Sequence, residues 1–216
     1  MAAAKLASGL NTLGVDLALV FAVDVSSSVD AGDYKLQMDG IAAALRHPLT
    51  LQYVQSGPAQ KIAISVVQWS SARKQVVTLE WQILADGIGI ESAASRIETQ
   101  QRQWGPGGTG MAEALVFCAG LLKAFPLQAR RRLVDVSGDG ADNEGGNVAL
   151  ARAATLASGI TINGLPIVDG SKVIQAYYRD QIIGGPGAFI EPAENMLAFK
   201  SAMERKLLRE LEDLSS

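Results

Sequence analysis

Leu17-Ala18-Leu19-Val20-Phe21-Ala22-Val23-Asp24-Val25-Ser26-Ser27-Ser28 is an apolar run that ends abruptly in a carboxylate and a set of hydroxyls. A run with no polar alternation predicts a parallel strand covered by helices on both faces. Asp24 is then the first residue out of the core. Side chains alternate along a strand, so Asp24 and Ser26 start on one face, and a turn after Ser26 can bring Ser28 round beside them. A carboxylate and two hydroxyls converging on a point suit a hard cation such as Mg2+, Mn2+ or Ca2+, and suit zinc or copper poorly. The plainer alternative is that Ser26 or Ser28 caps the next helix and Asp24 ends a strand.

Around this stretch the chain reads as a short extension, residues 1–14, followed by one domain over residues 15–216. A length of 216 residues suffices for one well-buried core. Hydrophobic residues at 48% and charged residues at 19%, with no low-complexity tract, mark a folded rather than a disordered chain. A formal charge of −3 argues against a nucleic-acid partner. Arg130, Arg131 and Arg132 form the one tight basic cluster and read as a solvated entry to the strand after them. No segment reaches the roughly 18 to 20 apolar residues of a membrane span. Met1 to Gly14 shows no apolar core of an export signal. Removal of such a signal before this chain begins would place the protein outside the cytoplasm, as a periplasmic or secreted protein; the alternative is a cytoplasmic one.

Cys118 is the only cysteine, which rules out an intramolecular disulfide and a cysteine metal site, and its apolar neighbours Leu115, Val116, Ala119 and Leu122 put it in the core. His47, the only histidine, precedes Pro48 and reads as a helix end far from any nucleophile motif.

Past Ser28, apolar residues at Tyr34, Met38, Ile41 and Leu45 predict a helix from Asp30 to Arg46 lying on a sheet, with Asp30 and Asp33 at its positive end. Ile62 to Val67 is a second buried strand. Val76 to Trp81 follows a turn at Ser70 to Lys74 that is too short for a parallel crossover, so this third strand is expected to be antiparallel and at an edge. Glu91 to Gln101 reads as a helix. The loop Gly105-Pro106-Gly107-Gly108-Thr109-Gly110 leads into a helix from Met111 to Phe125, and a strand from Leu133 to Val136 ends in Ser137-Gly138-Asp139-Gly140. Helix 148–157, strand 160–167, helix 173–182, a short strand near 188–190 and a final helix 193–214 complete the chain. The stripe Met196, Phe199, Met203, Leu207, Leu211 and Leu214 faces the final helix toward the core. This alternation predicts an α/β fold: an open, doubly wound, mostly parallel sheet of six strands with one antiparallel edge strand and helices on both faces. Right-handed crossovers place the strand-to-helix loops on one edge, where the loops after the first and fourth strands should meet.

Asp-x-Ser-x-Ser at Asp24, Ser26 and Ser28, a threonine in a glycine loop at Thr109 and an aspartate after the next strand at Asp139 together resemble the metal-ion-dependent adhesion site of von Willebrand factor A domains. The resemblance covers nearly the whole chain. It implies that Ser26, Ser28 and Thr109 touch a divalent ion, with Asp24 and Asp139 as carboxylates that often act through water. It also implies a binding module whose ion, Mg2+ or else Mn2+ or Ca2+, captures an Asp or Glu of a protein partner. Val66 to Ser70, Val134 to Gly140, Gly159 to Pro166 and Tyr177 to Phe189 look more particularly like an uncharacterised bacterial group of such domains, which implies no ligand.

The chemistry of these ligands is coherent. Neutral hydroxyls leave a divalent ion much of its charge, so an open position attracts an outside carboxylate. Two other classes compete with the binding module. A metal-dependent hydrolase would use the ion to lower the pKa of water but needs a general base, and only Asp142 and Glu144 lie near. A structural assembly subunit would carry the site unused. Gly105, Gly107 and Gly110 match a dinucleotide fingerprint only in form, because the segment before them is polar and helical. Met111 stands where a phosphate loop needs lysine. No catalytic residue is assigned.

Overall fold

A computed structural model describes residues 14–212 and Leu214. Except for Gly14, the expected N-terminal extension lies outside the described residues. Gly14 itself opens the first strand.

Five strands form one sheet: β1 (Gly14–Asp24), β2 (Ile62–Trp69), β3 (Gln75–Leu84), β4 (Gln128–Gly138) and β5 (Thr161–Pro166), in the order β3-β2-β1-β4-β5. β1 is central and pairs in parallel with β2 and β4, and β5 pairs in parallel with β4. β3 is the antiparallel edge strand that the short turn predicts.

The sixth strand is a correction. Among the described residues, the chain beyond β5 makes only isolated bridges, Ile162 with Gly184, Gly164 with Ile190 and Ile167 with Ala193. Gly184-Gly185-Pro186-Gly187 and Pro192 flank this stretch, and prolines without an amide hydrogen cannot sustain a ladder. Arg130, Arg131 and Arg132 lie inside β4, which starts earlier than its apolar part, rather than before it.

Helices α1 (Ala31–Arg46), α2 (Pro48–Ser56), α3 (Gly87–Glu98) and α7 (Phe199–Glu212) cover one face of the sheet, and α4 (Met111–Lys123) and α5 (Val148–Ala157) cover the other. Leu17, Leu19, Phe21 and Val23 point to the first layer, and Ala18, Val20 and Ala22 to the second. Each of the large side chains contributes about 1.5–3 kcal/mol by leaving water. This two-sided burial is why the run carries no polar alternation.

α1 is closed by a capping box in which the Asp33 amide donates to Asp30 Oδ1 at 2.9 Å. His47 ends α1 as expected, but it also begins α2, which the sequence reading does not contain. Its Nδ1 accepts from the Leu49 amide at 3.2 Å and Pro48 fills the first helical position. The helix expected over 173–182 is split into α6 (Lys172–Tyr177) and a wider π turn, Tyr178–Ile182. The final helix begins at Phe199 after a short 3-10 turn, Met196–Ala198. Phe199, Met203, Leu207, Leu211 and Leu214 of its stripe are buried, and Met196 is partly so.

Candidate functional site

β1 ends at Asp24 one step past Val23, which pairs with Ser137 near the end of β4. Parallel register therefore delivers the Asp24 loop and the Asp139 loop to the same edge. Asp24 is wholly buried. Its Oδ1 accepts from the Ser26 amide at 2.7 Å, which folds the chain back after the strand. The turn continues with the Val29 amide donating to the Ser26 carbonyl at 3.1 Å. Ser26 Oγ and Ser28 Oγ then stand 3.2 Å apart, and Ser28 Oγ donates to Asp139 Oδ1 at 2.7 Å.

Thr109, buried, borders this cluster from the glycine loop. A side chain begun at Gly140 would stand 3.4 Å from Thr109 Oγ1, so the threonine hydroxyl lies against the residue after Asp139. The Ser27 amide donates to the Gly107 carbonyl at 2.9 Å and ties the two loops together. Asn143 fixes the threonine backbone from both sides, with Oδ1 accepting the Thr109 amide at 2.8 Å and its own amide donating to the Thr109 carbonyl at 3.0 Å. The Gly110 amide donates to the Ser70 carbonyl at 2.7 Å, and Ser71 Oγ accepts from the Gly108 amide at 2.8 Å. The polar turn between β2 and β3 thus holds the glycine loop. Asp24, Ser26, Ser28 and Asp139 are joined by hydrogen bonds, and Thr109 adjoins them.

Burial raises the Asp24 carboxyl to about 7, against hydrogen bonds from Ser26 and the charge of Arg102, while the charge of Asp139 raises it further. Its second oxygen, Oδ2, is buried without a hydrogen-bond partner. An unpartnered buried carboxylate oxygen beside two hydroxyls and a second carboxylate fits a hard cation, whose charge would offset the burial of Asp24. Among the described residues no cluster of three His, Cys, Asp or Glu is placed to hold a metal. Besides its two carboxylates, this edge offers the hydroxyls of Ser26 and Ser28, with Thr109 adjoining them.

Several contributors carry no signal in the sequence. Arg102, in a polar loop, donates to the Val25 and Ser26 carbonyls at 2.9 Å each and brings a positive charge behind the turn. Gln37 of α1 donates to the Asp24 carbonyl at 3.1 Å and accepts from Ser137 Oγ at 3.3 Å, bridging β1 and β4. Tyr178, buried, senses the charges of Asp24 and Asp139, and burial above all holds its hydroxyl well above the ordinary range.

Asp142, one of the two acids within reach of a hydrolytic role, is otherwise engaged. Its Oδ2 accepts from the Ala112 amide at 3.2 Å, in the first turn of α4, whose own cap Gly110 has no side chain to offer. Glu144 is exposed on its loop.

Residues 14–215 match the model of a family described as "Protein of unknown function (DUF1194)". No curated protein matches the chain. Among solved structures, the chain is similar to proximal thread matrix protein 1 of the mussel byssus in a form with a zinc-occupied metal-ion-dependent adhesion site: TM-score 0.66, 17% identity, 94% of this chain and 48% of that one. It is similar to a von Willebrand factor type A protein of Catenulispora acidiphila, with TM-score 0.60, 15% identity, and coverage of 93% and 43%. The PilB minor pilin of Streptococcus sanguinis gives TM-score 0.62, 15% identity, and coverage of 93% and 62%. The chain spans about half the length of the mussel protein. The fold is that of von Willebrand factor A domains.

Proposed function

We propose, from the premise that this chain belongs to DUF1194, a protein family of unknown function, that it is a non-enzymatic binding module which captures an acidic residue of a protein partner through a divalent ion. Residues 15–216 form the one domain that carries this function. Ser26, Ser28 and Thr109 supply neutral oxygens, and Asp24 and Asp139 supply the carboxylates. The observation that carries the reading is the cluster itself: the hydroxyls of Ser26 and Ser28, hydrogen-bonded on to Asp139, beside a buried Asp24 whose Oδ2 has no hydrogen-bond partner. The mussel protein with zinc at its adhesion site supports it by analogy of fold. Mg2+ is the expected ion, with Mn2+ or Ca2+ as substitutes, since every ligand is a hard oxygen. When bound, the ion supplies a partly uncompensated positive charge with room for one outside carboxylate.

Thermal unfolding with and without Mg2+ or Mn2+ tests this. A ligand that binds only the folded state stabilises it by about 2.7 kcal/mol at a hundredfold excess over its dissociation constant. The shift should vanish in Asp139→Ala, and an unchanged metal response in that variant sinks the assignment. Metal affinity should also climb as pH rises from about 6 to 8, because the Asp24 carboxyl, raised to about 7, must lose its proton to accept the ion. Calorimetric titration at a series of pH values checks this.

The hydrolase alternative predicts turnover of phosphoester, peptide or ester substrates that disappears in Asp139→Ala. The binding reading predicts none, and the engagement of Asp142 in capping α4 favours it.

A further inference from the structure

The π turn Tyr178–Ile182 carries a phenol to the rear of the same edge. Such turns insert one residue into a helix and recur at functional sites. The turn is closed by the Ile183 amide donating to the Tyr178 carbonyl at 3.0 Å. Tyr178 is wholly buried, and its hydroxyl has no hydrogen-bond partner.

Two strands give up side chains where its ring crosses them. A Cβ at Gly164 of β5 would stand 2.7 Å from Tyr178 Cδ1, and one at Gly138 of β4 would stand 2.8 Å from the Tyr178 hydroxyl. Glycine inside a strand is weakening and marks the close approach of another group. The same point at Gly138 lies 2.8 Å from Asp24 Oδ2. A buried donor and a buried acceptor, each otherwise unpartnered, therefore face one glycine.

We propose that Tyr178 is a positioning residue for Asp24, its hydroxyl donating to Oδ2 directly or through one water while the Ser26 amide holds Oδ1. This rests on the reading of Asp24 as part of a metal site. Groups that orient ligands from behind commonly change metal affinity by about 10–100-fold when removed.

Tyr178→Phe keeps the ring that fills the core and deletes only the hydroxyl. The variant should fold, shown by circular dichroism, and should bind Mn2+ about tenfold more weakly by calorimetry. The near-ultraviolet tyrosine difference band that Mg2+ induces in the wild type should be missing from it and kept in Tyr177→Phe, which assigns the band to the Tyr178 hydroxyl beside the site, while the loss of Mn2+ affinity reads its role. Gly138→Ala, which drives a methyl between hydroxyl and carboxylate, should weaken Mn2+ binding in the same direction. Unchanged Mn2+ affinity in Tyr178→Phe overturns the role of Tyr178, whatever the band does, and leaves the metal site standing. A wild type that binds no Mn2+ overturns the metal site and the role of Tyr178 with it.

Discussion

Lys206→Met is expected to cost the fold about 3–5 kcal/mol, the usual penalty for removing one member of a buried charge network. Lys206 on α7 is fully buried, with Nζ 2.6 Å from Asp135 Oδ1 on β4 and 2.5 Å from Glu210 Oε1 one turn on. Glu210 Oε1 also accepts from Asn163 Nδ2 of β5 at 2.9 Å. The network ties α7 to two strands of the sheet. Burial lowers the Lys206 ammonium, but Asp135 and Glu210 outweigh it and hold it above its ordinary range. Burial raises the Asp135 carboxyl to about 7, against the charge of Lys206, and the charge of Glu210 adds to the rise. Without Lys206, the buried carboxyls of Asp135 and Glu210 lose the ammonium they share.

The pH dependence has a definite sign. Asp135 has a folded value near 7 against an ordinary 3.8, so the folded state holds more protons between those limits. Its contribution to stability is full below the lower value and is lost as pH rises through the upper one. Removing Lys206 raises the folded value further. Urea unfolding should therefore show the largest deficit for Lys206→Met above pH 7 and a smaller one near pH 5. A deficit that is small, or equal at both pH values, would show that the network is not the anchor of α7.

Binding of the partner is expected to fall about 100-fold or more in chelator, which is about 2.8 kcal/mol. Thr109→Ala should cause a comparable loss while the fold survives. The Thr109 backbone stays held by Asn143 whatever the side chain, so the substitution removes a hydroxyl without releasing the loop. The decisive measurement is a scan of the partner in which each acidic residue is converted to its amide. One Asp→Asn or Glu→Gln change should account for most of the affinity, because a neutral amide oxygen is a much poorer ligand for an incompletely neutralised divalent ion. Binding that persists in chelator and tolerates every such change would place the interface elsewhere.

Local signals in the sequence determine the frame. The unalternating run from Leu17 to Val23 specifies a strand buried on both faces, and the structure places it at the centre of the sheet. The short turn before Val76 makes β3 antiparallel, because no parallel crossover fits its length. The same logic brings the Asp24 and Asp139 loops to one edge, since parallel strands joined by helices put both loops at their carboxyl ends. These features depend on spacing between near neighbours, which a sequence displays directly.

Contacts between distant segments decide the rest. Arg102 reaches the Ser26 carbonyl across 76 positions, and Gln37 meets Ser137 across 100. Lys206 looks like a solvated helix residue in sequence and is instead paired inside the core. Tyr178 reads as part of an ordinary helix until the π turn and the glycines of β4 and β5 bring its hydroxyl toward Asp24. No local pattern encodes such partners. A buried polar group is satisfied by whichever donor or acceptor the packed layers bring to it, and only the assembled sheet and helices fix which one that is.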